Sequence, residues 1–397
     1  MAGSTLASGD DALSQILNPS SLASVSKRLD INVSYVRSNL RFRNSLNDKE
    51  NGRDFNGYPL SYNNFIIPAV GFAYPLKNTN WTFGFQFYGL GGDAARFVLD
   101  DFDAPAGFGK GQKFRGNLAL LTFGPAVAYR VSEKLSLGVS LQVTAARLQL
   151  DQPFGTFAPP NSLRFRFRFE MPEYGFHYTL ASRLSATYKM TDWMSVAVAY
   201  QSPRDFNLDG DVSFTFPAGI GINKLESKGT IPLTLPHQLD AGIAFKLNPQ
   251  LLVDVGYSWV AWSREDPFNT FKVQLKPAAA VFPSTLAAKL RWDDQHIVRL
   301  GAAYDLSQAL AVSAGYSYAS NPVTSGGAFL TFPAYGFHAL SVGATYQLTD
   351  KWDASLALER SLPISVNTQT SSVDSFHSNS REDHDQYSAQ VQFGRSF

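Results

Sequence analysis

A short sequence phrase recurs along the chain and constrains its fold more than any other feature. In each copy an aromatic residue is followed by one further residue, usually by an aliphatic residue, and then by a short polar turn. Six copies are present, mostly 55 to 59 residues apart. Their aromatic residues are Tyr74, Tyr129, Tyr188, Phe245, Tyr304 and Tyr346. Aromatics at one height beside tight turns are typical of the girdle of a transmembrane β-barrel. A soluble propeller also repeats its aromatics, but its blades are shorter and would not alternate with long irregular loops.

Between these turns, apolar and polar residues alternate with a period of two. In residues 135–144, Leu and Val alternate with Ser, Gly, Gln and Thr, and the segment from Tyr387 to Phe397 repeats the alternation. Successive side chains of a strand point to opposite faces, so one face meets lipid and the other a polar lumen. A terminal Phe on an amphipathic strand also resembles the signal that the barrel-assembly machinery reads, and we expect that machinery as a partner during biogenesis.

Counting these signals predicts an all-β fold, a 14-stranded antiparallel transmembrane β-barrel with an N-terminal plug in its lumen. The predicted strands are 29–43, 62–76, 80–97, 114–131, 134–152, 173–190, 193–206, 233–247, 250–264, 285–306, 309–320, 335–348, 351–366 and 383–397. Connections after even strands are tight and those after odd strands are long, as expected for periplasmic turns and extracellular loops. We therefore expect a plug on the periplasmic side over residues 1–28 and a barrel over residues 29–397.

Composition agrees with the strand pattern and excludes several classes of protein. Charged residues make up 17% of the chain, whereas about 25% is typical of soluble domains. The net charge of +1 argues against a nucleic-acid partner, and the absence of cysteine excludes disulfides and thiolate metal sites.

No apolar run is long enough for a transmembrane helix. The start at Met1 lacks a signal peptide. Because a protein of the Gram-negative outer membrane must be exported, we expect the numbering to begin after a cleaved segment.

Several segments carry a resemblance to a known family. Paired acids, Asp10 and Asp11, are followed by Asn18 and Pro19 near the start of the chain. Three later segments follow the family's strand patterns: 123–142, 235–263 and 298–323. Together these features resemble the long-chain fatty acid outer-membrane transporter (FadL) family, whose members also carry aromatic hydrocarbons. The resemblance implies a fourteen-stranded barrel whose N-terminal segment, here containing the four residues named above, blocks the lumen.

The resemblance also implies a transport route. Outer loops capture a hydrophobic ligand, an inner pocket receives it, and the ligand leaves sideways through a gap at a kink in the third strand. The matching positions here are Gly89, Gly91 and Gly92. Glycines in a strand weaken pairing and permit a bend. The alternative interpretation is an ordinary bulge near the outer end of the strand.

Several predicted outer loops are unusually apolar. Their large side chains include Phe154, Phe157, Phe216, Ile220 and Phe282. Exposed apolar clusters usually mark binding surfaces, so these residues are candidate ligand contacts. The alternative is that the loops pack on one another as a lid, and both can hold together.

Two basic features are candidate contacts for a carboxylate. Arg164, Arg166 and Arg168 alternate with Phe, so an extended chain places the guanidiniums on one face, where they can grip a carboxylate or contact anionic lipopolysaccharide. In the family, a basic residue just after the fifth strand binds the fatty-acid head group. The corresponding position here is Gln152 or a neighbour, with Arg147 several residues earlier. An uncharged hydrocarbon therefore stays open as the ligand.

No pattern indicates an enzyme. The six histidines show no metal-ligand spacing, and no nucleophile elbow or phosphate-binding loop is present, so we expect no cofactor and no metal. The leading hypothesis is passive transport of hydrophobic small molecules, either long-chain fatty acids or aromatic and alkyl hydrocarbons. A non-specific diffusion porin and a structural or adhesive barrel are the alternatives. We expect contacts with outer-membrane lipids and lipopolysaccharide, and a monomer, because a wall exit needs access to lipid.

Overall fold

The chain is built almost entirely from β-strands. The computed structural model describes residues 1–44, 61–101, 108–158, 163–172, 175–217, 223–276, 285–373 and 377–397. Short helical segments in these ranges are the 3₁₀ turns Ser14–Ile16, Pro19–Ser24 and Trp262–Arg264 and the α-helix Asp266–Asn269. None of the helices in the described part of the chain is both long enough and apolar enough to cross a bilayer.

The described strands number nineteen, and they form one sheet in which the pairings are antiparallel. They are β1 (Arg28–Asn44), β2 (Ser61–Pro75), β3 (Trp81–Asp101), β4 (Gly109–Arg130), β5 (Leu135–Ala158), β6 (Leu163–Met171), β7 (His177–Thr191), β8 (Met194–Gln201), β9 (Arg204–Thr215), β10 (Lys224–Leu235), β11 (Gln238–Lys246), β12 (Leu251–Val260), β13 (Thr270–Lys276), β14 (Thr285–Lys289), β15 (Gln295–Asp305), β16 (Leu310–Ala319), β17 (Phe337–Thr349), β18 (Trp352–Thr368) and β19 (Ser380–Ser396).

Fourteen of these strands close into a barrel, as predicted. Going round the wall, β5 pairs with β7, β8 with β11, and β12 with β15, while the other neighbours are consecutive in the chain. The ring closes where β19 pairs with β1, from Arg28↔Ser396 to Asn44↔Ser380. Where its neighbouring strands pair, a closed ring satisfies the backbone hydrogen-bonding groups, which is what a bilayer requires of strands. The loop-length asymmetry places the tight turns at the periplasmic end.

The two faces of the wall have the predicted character. On β5, Leu137 and Leu141 are exposed on the outside, whereas Ser140 and Gln142 are buried inside. On β1, Ile31 and Val33 face outward in the same way. A soluble protein shows the opposite arrangement, so the exposed apolar face is explained by contact with lipid. The aromatics beside the tight turns also lie on the outside and form the expected girdle. Among them are Tyr74, Tyr188, Tyr304 and Tyr346, with Trp81, Trp193 and Trp352.

Five further strands lie outside the closed wall, and four of them fall in segments predicted as irregular outer loops, 153–172, 207–232 and 265–284, so the loop prediction was wrong there. Above Ala146, β5 leaves β7 and pairs with β6 instead. The chain of pairings then continues from β6 to β9, β10, β13 and β14. These strands bury aromatic and aliphatic side chains within the barrel, in a core that includes Phe97, Phe114, Phe169, Phe214 and Phe329. The apolar residues of these five strands are therefore placed for burial in this core and not for contact with lipid.

Three predicted strands are each divided in two. Predicted strand 193–206 breaks at Ser202 and Pro203 between β8 and β9, and predicted strand 233–247 breaks at Pro236 between β10 and β11. Proline has no N–H for a central ladder, which explains these two breaks. Predicted strand 285–306 is interrupted between β14 and β15. In each case only one of the two pieces belongs to the closed barrel wall.

Candidate functional site

The N-terminal segment lies inside the barrel and is hydrogen-bonded to its wall. Asn18 caps the second 3₁₀ turn, since its Oδ1 accepts from the backbone N–H of Ser20 at 3.1 Å. Asn18 Nδ2 donates to Thr187 Oγ1 on β7 at 2.8 Å, and the Ser20 N–H also donates to Ser185 Oγ at 2.8 Å. Pro19 begins this turn with its fixed φ and is buried. The predicted motif therefore fixes both the local turn and its place on the wall.

The paired acids at the start of the segment have different partners. Asp11 Oδ1 accepts from the backbone N–H of Ser14 at 2.7 Å, and its Oδ2 accepts from Gln392 Nε2 on β19 at 2.8 Å. Asp10 lines the periplasmic mouth of the lumen. Desolvation by the surrounding protein, and second the charge of Asp11, raise the pKa of Asp10 above its usual range.

Inward-facing glycines allow the segment to lie directly on the strands. A Cβ at Gly138 would lie 2.2 Å from the backbone N of Ser20, and a Cβ at Gly71 would lie 2.4 Å from the backbone O of Ala12. Both distances are far below van der Waals contact, so any larger residue would push the segment away from the wall. Close approach of two backbones is one of the specific uses of glycine in a strand.

The wall is incomplete between β2 and β3. These strands form only seven pairs, from Ala69↔Tyr88 to Pro75↔Thr82. Residues 61–68 of β2 are paired with β1 on one side and have no β3 partner on the other. Pro68 contributes no N–H at this edge. The result is a lateral gap in the extracellular half of the wall.

The gap begins at the glycines that the sequence singled out. The register between β3 and β4 shifts between Gly89 and Gly91, which leaves Leu90 as an extra residue. Gly91 has a φ of +120°, a conformation that favours glycine. A Cβ at Gly89 would lie 2.6 Å from Ile67 Cγ2 on β2. Gly92 is back in register, opposite Ala119. The third strand is therefore bulged where it parts from the second.

An apolar cavity of about 730 Å³ adjoins this gap. At the wall it is lined by residues of the gap itself, including Ile66, Ile67, Gly89, Leu90 and Gly91. Inside the barrel it is lined by aromatic side chains, including Trp262, Phe268, Trp292, Phe329 and Phe332. Its size and composition are those of a small-molecule pocket. The lumen and the gap therefore share one continuous space.

The aromatic end of the cavity is held in place by ring contacts and hydrogen bonds. The Phe268 ring lies edge-to-face on Trp262 at 4.5 Å and stacks on Trp292 at 4.9 Å between ring centroids. Trp292 Nε1 donates to the Gly327 carbonyl at 3.0 Å. The sequence patterns did not mark these residues as a site, since they lie in segments assigned to strands and a loop. The only signal available was the density of Trp and Phe between residues 259 and 292.

A polar layer lies between the cavity and the N-terminal segment. Its centre is the buried Arg204, whose Nη2 donates to Gln142 Oε1 at 2.7 Å and whose Nε donates to Thr144 Oγ1 at 3.1 Å. Leu235, which lines the cavity, pairs with Arg204 between β9 and β10. Gln86 is fully buried on the inward side of β3. The cavity therefore opens more readily toward the wall than toward this polar layer.

Comparison with known proteins agrees with this architecture. Residues 1–393 match the family described as outer membrane protein transport protein (OMPP1/FadL/TodX). The chain belongs to this family. Outer membrane protein P1 of Haemophilus influenzae is 24% identical over 279 residues, which cover 63% of this chain and 56% of that protein. The chain thus spans about half the length of the curated relatives it matches.

Solved structures of other FadL/TodX proteins have the same fold. The toluene transporter TodX of Pseudomonas putida superimposes with a TM-score of 0.77 at 18% identity, covering 96% of this chain and 92% of TodX. A FadL homologue of Pseudomonas aeruginosa gives a TM-score of 0.76 at 14% identity, covering 100% of this chain and 96% of the homologue. Membership confirms the predicted family and the outer-membrane location, and the family is described as one of transport proteins.

In this FadL/TodX chain, Arg147 lines the cavity, whereas Gln152 does not. The Arg147 guanidinium lies 5.2 Å from the centre of the Phe176 ring, close to Ala119 across the β4–β5 pairing. Gln152 is fully buried outside the cavity lining, and its Oε1 accepts from Thr331 Oγ1 at 2.9 Å. Of the two candidates near the end of the fifth strand, only Arg147 is placed to meet a ligand in this space.

The predicted apolar loop residues lie mostly in the luminal core. Phe154 stacks on Phe329 with ring centroids 5.8 Å apart, and Phe216 is buried. Phe157 lies in β5, but only its backbone is described. Ile220 and Phe282 lie outside the described residues. The described side chains, Phe154 and Phe216, pack against other residues of the luminal core. This agrees with the alternative in which the loops pack on one another as a lid.

The alternating Arg–Phe segment forms β6. Phe167 and Phe169 are buried in the luminal core, while Arg168 on the opposite face forms ion pairs with Asp151 and Glu170. The backbones of Arg164 and Arg166 pair with β5, and their side chains are not described. None of the His, Asp and Glu side chains in the described ranges forms a group that could hold a metal ion.

Proposed function

We propose that this chain is a passive channel for hydrophobic small molecules, which enter from the extracellular side, occupy the aromatic cavity and leave through the gap between β2 and β3. The observation that carries the proposal is the continuity of the apolar cavity with that gap, since both are lined by Ile67, Gly89 and Leu90. A solute in this space moves into the lipid-facing band without crossing the polar layer below.

The affinity required for such a route comes from apolar burial. A monoaromatic or short alkyl solute that buries roughly 200 Å² gains about 5 kcal/mol at roughly 25 cal/mol per Å². This is enough to draw the solute from water and weak enough to release it into lipid. The route needs no energy source or cofactor, because the concentration difference drives net movement.

We further propose that residues 1–27 act as a plug. The hydrogen bonds of Asn18, Ser20 and Asp11 to β7 and β19 support this role, as does the close packing on Gly71 and Gly138. A docked plug blocks the straight path to the periplasm for ions and water. Lateral exit then becomes the remaining path, and the protein works as a monomer whose gap faces lipid.

The cavity lining favours a ligand with a large uncharged part. Most of the lining is aliphatic or aromatic, and Arg147 is the one cation in the described lining. TodX, which shares the fold, is described as a toluene transporter. We propose hydrocarbons as ligands, with hydrophobic acids admitted when their carboxylate lies near Arg147.

Deletion of Leu90 tests the lateral route. Without this extra residue β3 can continue in register, which should restore pairing with β2 and close the gap. Uptake of radiolabelled toluene into cells should fall to the level of cells lacking the protein. The matched control deletes Pro363, which lies in a β-bulge of β18 four strands away, and should retain uptake. Full uptake by a correctly folded Leu90 deletion would rule out this exit.

A further inference from the structure

We infer that a polar corner of the cavity, formed by Ser38, His384 and Gln386, binds a hydroxyl group, so that the channel admits phenols as well as plain hydrocarbons. This inference rests on the proposed function, since it names a further class of solute for the same cavity. It depends on where these three side chains lie and on the hydrogen-bonding capacity that they leave unused.

The strand register brings the three side chains together on the inner wall. Ser38 of β1 lies directly opposite Gln386 of β19, and His384 lies two residues away from Gln386 along β19. Successive residues of a strand alternate between its two faces, so His384 and Gln386 share the inward face while Tyr387 is exposed on the outside. All three members of the polar corner line the cavity.

Ser38 and His384 are joined by a hydrogen bond. Ser38 Oγ lies 3.0 Å from His384 Nε2, and the His384 ring lies edge-to-face to the Tyr335 ring with the centroids 6.5 Å apart. A hydroxyl group can donate one hydrogen bond and accept two. Whichever atom donates in this contact, Ser38 Oγ therefore keeps the capacity for a further hydrogen bond, and His384 fixes the position of that oxygen in the cavity.

Gln386 also has unused hydrogen-bonding capacity. Its amide carries two donors and a carbonyl acceptor, and its side chain forms no hydrogen bond with another residue in the described ranges. On its other side Gln386 lies opposite Ser361 of β18, whose Oγ is buried and has no partner in the described part of the chain. His384 Nδ1 is buried without a described partner as well. Because buried polar groups are nearly always paired, this part of the wall is suited to a polar group from outside the chain.

The rest of the cavity supplies the apolar contacts that an aromatic ring needs. Phe332 and Ala334 line the cavity and belong to the same loop as Tyr335, whose ring contacts His384. Leu90 lines it on the side of the gap. A ring that packs on this apolar lining can therefore direct a single hydroxyl group to the polar corner.

The groups around the polar corner favour an uncharged solute over an acid. Ser38 and Gln386 are neutral, and the buried Glu382 lies on the same face of β19, two residues beyond His384. The cation in the described cavity lining, Arg147, belongs to β5 and not to this sector of the wall. A carboxylate at the corner would lose its hydration without meeting an arginine or lysine, which is unfavourable. A hydroxyl group both donates and accepts, so it can pair with the Ser38 hydroxyl and the Gln386 amide together.

Binding of p-cresol and p-xylene to the detergent-solubilised full chain tests the inference. The two solutes have nearly the same shape, but p-cresol has a hydroxyl group where p-xylene has a methyl group. Equilibrium dialysis with radiolabelled solute measures both affinities, after subtraction of the solute taken up by empty detergent micelles. The variant is Gln386→Leu, which removes the amide and keeps a side chain of similar size. The matched control is Gln390→Leu, the same change four residues further along the inward face of β19 and outside the lining of this cavity.

We expect Gln386→Leu to bind p-cresol about fivefold more weakly than the original chain, the order expected for one lost hydrogen bond, and to bind p-xylene within about twofold. The Gln390→Leu control should bind both solutes as the original chain does. Ser38→Ala is the second variant, because it removes only a hydroxyl group and serves if Gln386→Leu folds poorly. It should weaken p-cresol binding about threefold and leave p-xylene binding unchanged.

The two solutes together separate a binding role from a structural one. Equal weakening for p-cresol and p-xylene would show that Gln386 only supports the shape of the cavity, and would overturn the inference. Unchanged p-cresol binding by the folded variants would overturn it as well. In both cases, binding of p-xylene by the original chain leaves the transport proposal standing. Failure of the original chain to bind either solute would instead overturn the proposed cavity and this inference together.

Discussion

Asn18 and Thr187 join the N-terminal segment to the barrel wall through a hydrogen bond of 2.8 Å from the Asn18 amide to the Thr187 hydroxyl. The same amide donates to the Leu6 carbonyl at 2.8 Å, and the other end of the side chain accepts from the hydroxyl of Ser20 at 2.6 Å. One buried side chain therefore organises two stretches of the segment and attaches both to β7. Its loss should affect docking more than folding of the barrel.

Asn18→Ala should release the segment from the lumen for a larger fraction of the time. Leaving buried hydrogen-bonding groups unpaired costs about 1–3 kcal/mol, so the undocked fraction should rise about tenfold or more. Conductance in planar bilayers measures this, because the docked channel should carry almost no ion current. Ser24→Ala is the control, since the exposed Ser24 hydroxyl donates to the Ser21 carbonyl within its own turn at 2.8 Å. Steady open-pore current from the original chain would instead support the porin alternative.

Gly138→Ala tests the same contact from the side of the wall. The added methyl group would lie 2.2 Å from the Ser20 backbone N, so the segment must move away from β5. Trypsin should then cleave after Lys27 several times faster, as measured by mass spectrometry of the released peptide. The matched control is Gly256→Ala, where the nearest atoms to the added Cβ are 3.7 Å away. Equal cleavage rates for the two variants would show that the segment does not depend on close packing at Gly138.

Filling the cavity should reduce transport without disturbing the wall. Ala119→Trp places an indole beside Arg147, in the space that leads to the gap. Toluene uptake should fall at least fivefold, because the ring occupies volume that the solute needs. Ala354→Trp is the matched control, as Ala354 lies on the outward face of β18 beside Leu356. Folding of both variants is checked by heat-dependent migration on gels, and full uptake by the Ala119 variant would place the route elsewhere.

The barrel was predictable from the sequence because its signals are local. An aromatic next to a tight turn and a period-two alternation are both fixed by contact with lipid, and they recur in every hairpin of the wall. The inner strands were not predictable in the same way. β6, β9, β10 and β13 bury their side chains against distant parts of the lumen, so no membrane pattern marks them. Two pairs of strands are separated by only two residues, Ser202–Pro203 and Pro236–His237, and the proline was a weak signal of each break.

The candidate site was predictable only in part. The glycines of β3 could be singled out, but the end of pairing between β2 and β3 depends on the register of both strands. Trp262, Phe268 and Trp292 meet only after β12 to β15 have folded together, and no spacing in the sequence indicates that contact. Phe154 and Phe216 stay predicted ligand contacts, and their place in the core beside the cavity depends on strand pairings that the sequence does not indicate.

Arg147→Gln should separate acids from hydrocarbons among the ligands. Because Arg147 is the one cation in the described lining of the cavity, it is the group placed to offset a ligand carboxylate. Binding of decanoate should weaken about tenfold, the order expected for losing one charge-assisted hydrogen bond, whereas binding of an uncharged hydrocarbon should change less than twofold. Tryptophan fluorescence in detergent measures both, since Trp262 and Trp292 line the same space. Arg168→Gln is the control, because Arg168 is paired with Asp151 and Glu170 outside the cavity lining. Equal weakening for both ligands would mean that Arg147 supports the cavity through its packing on Phe176 and does not select a carboxylate.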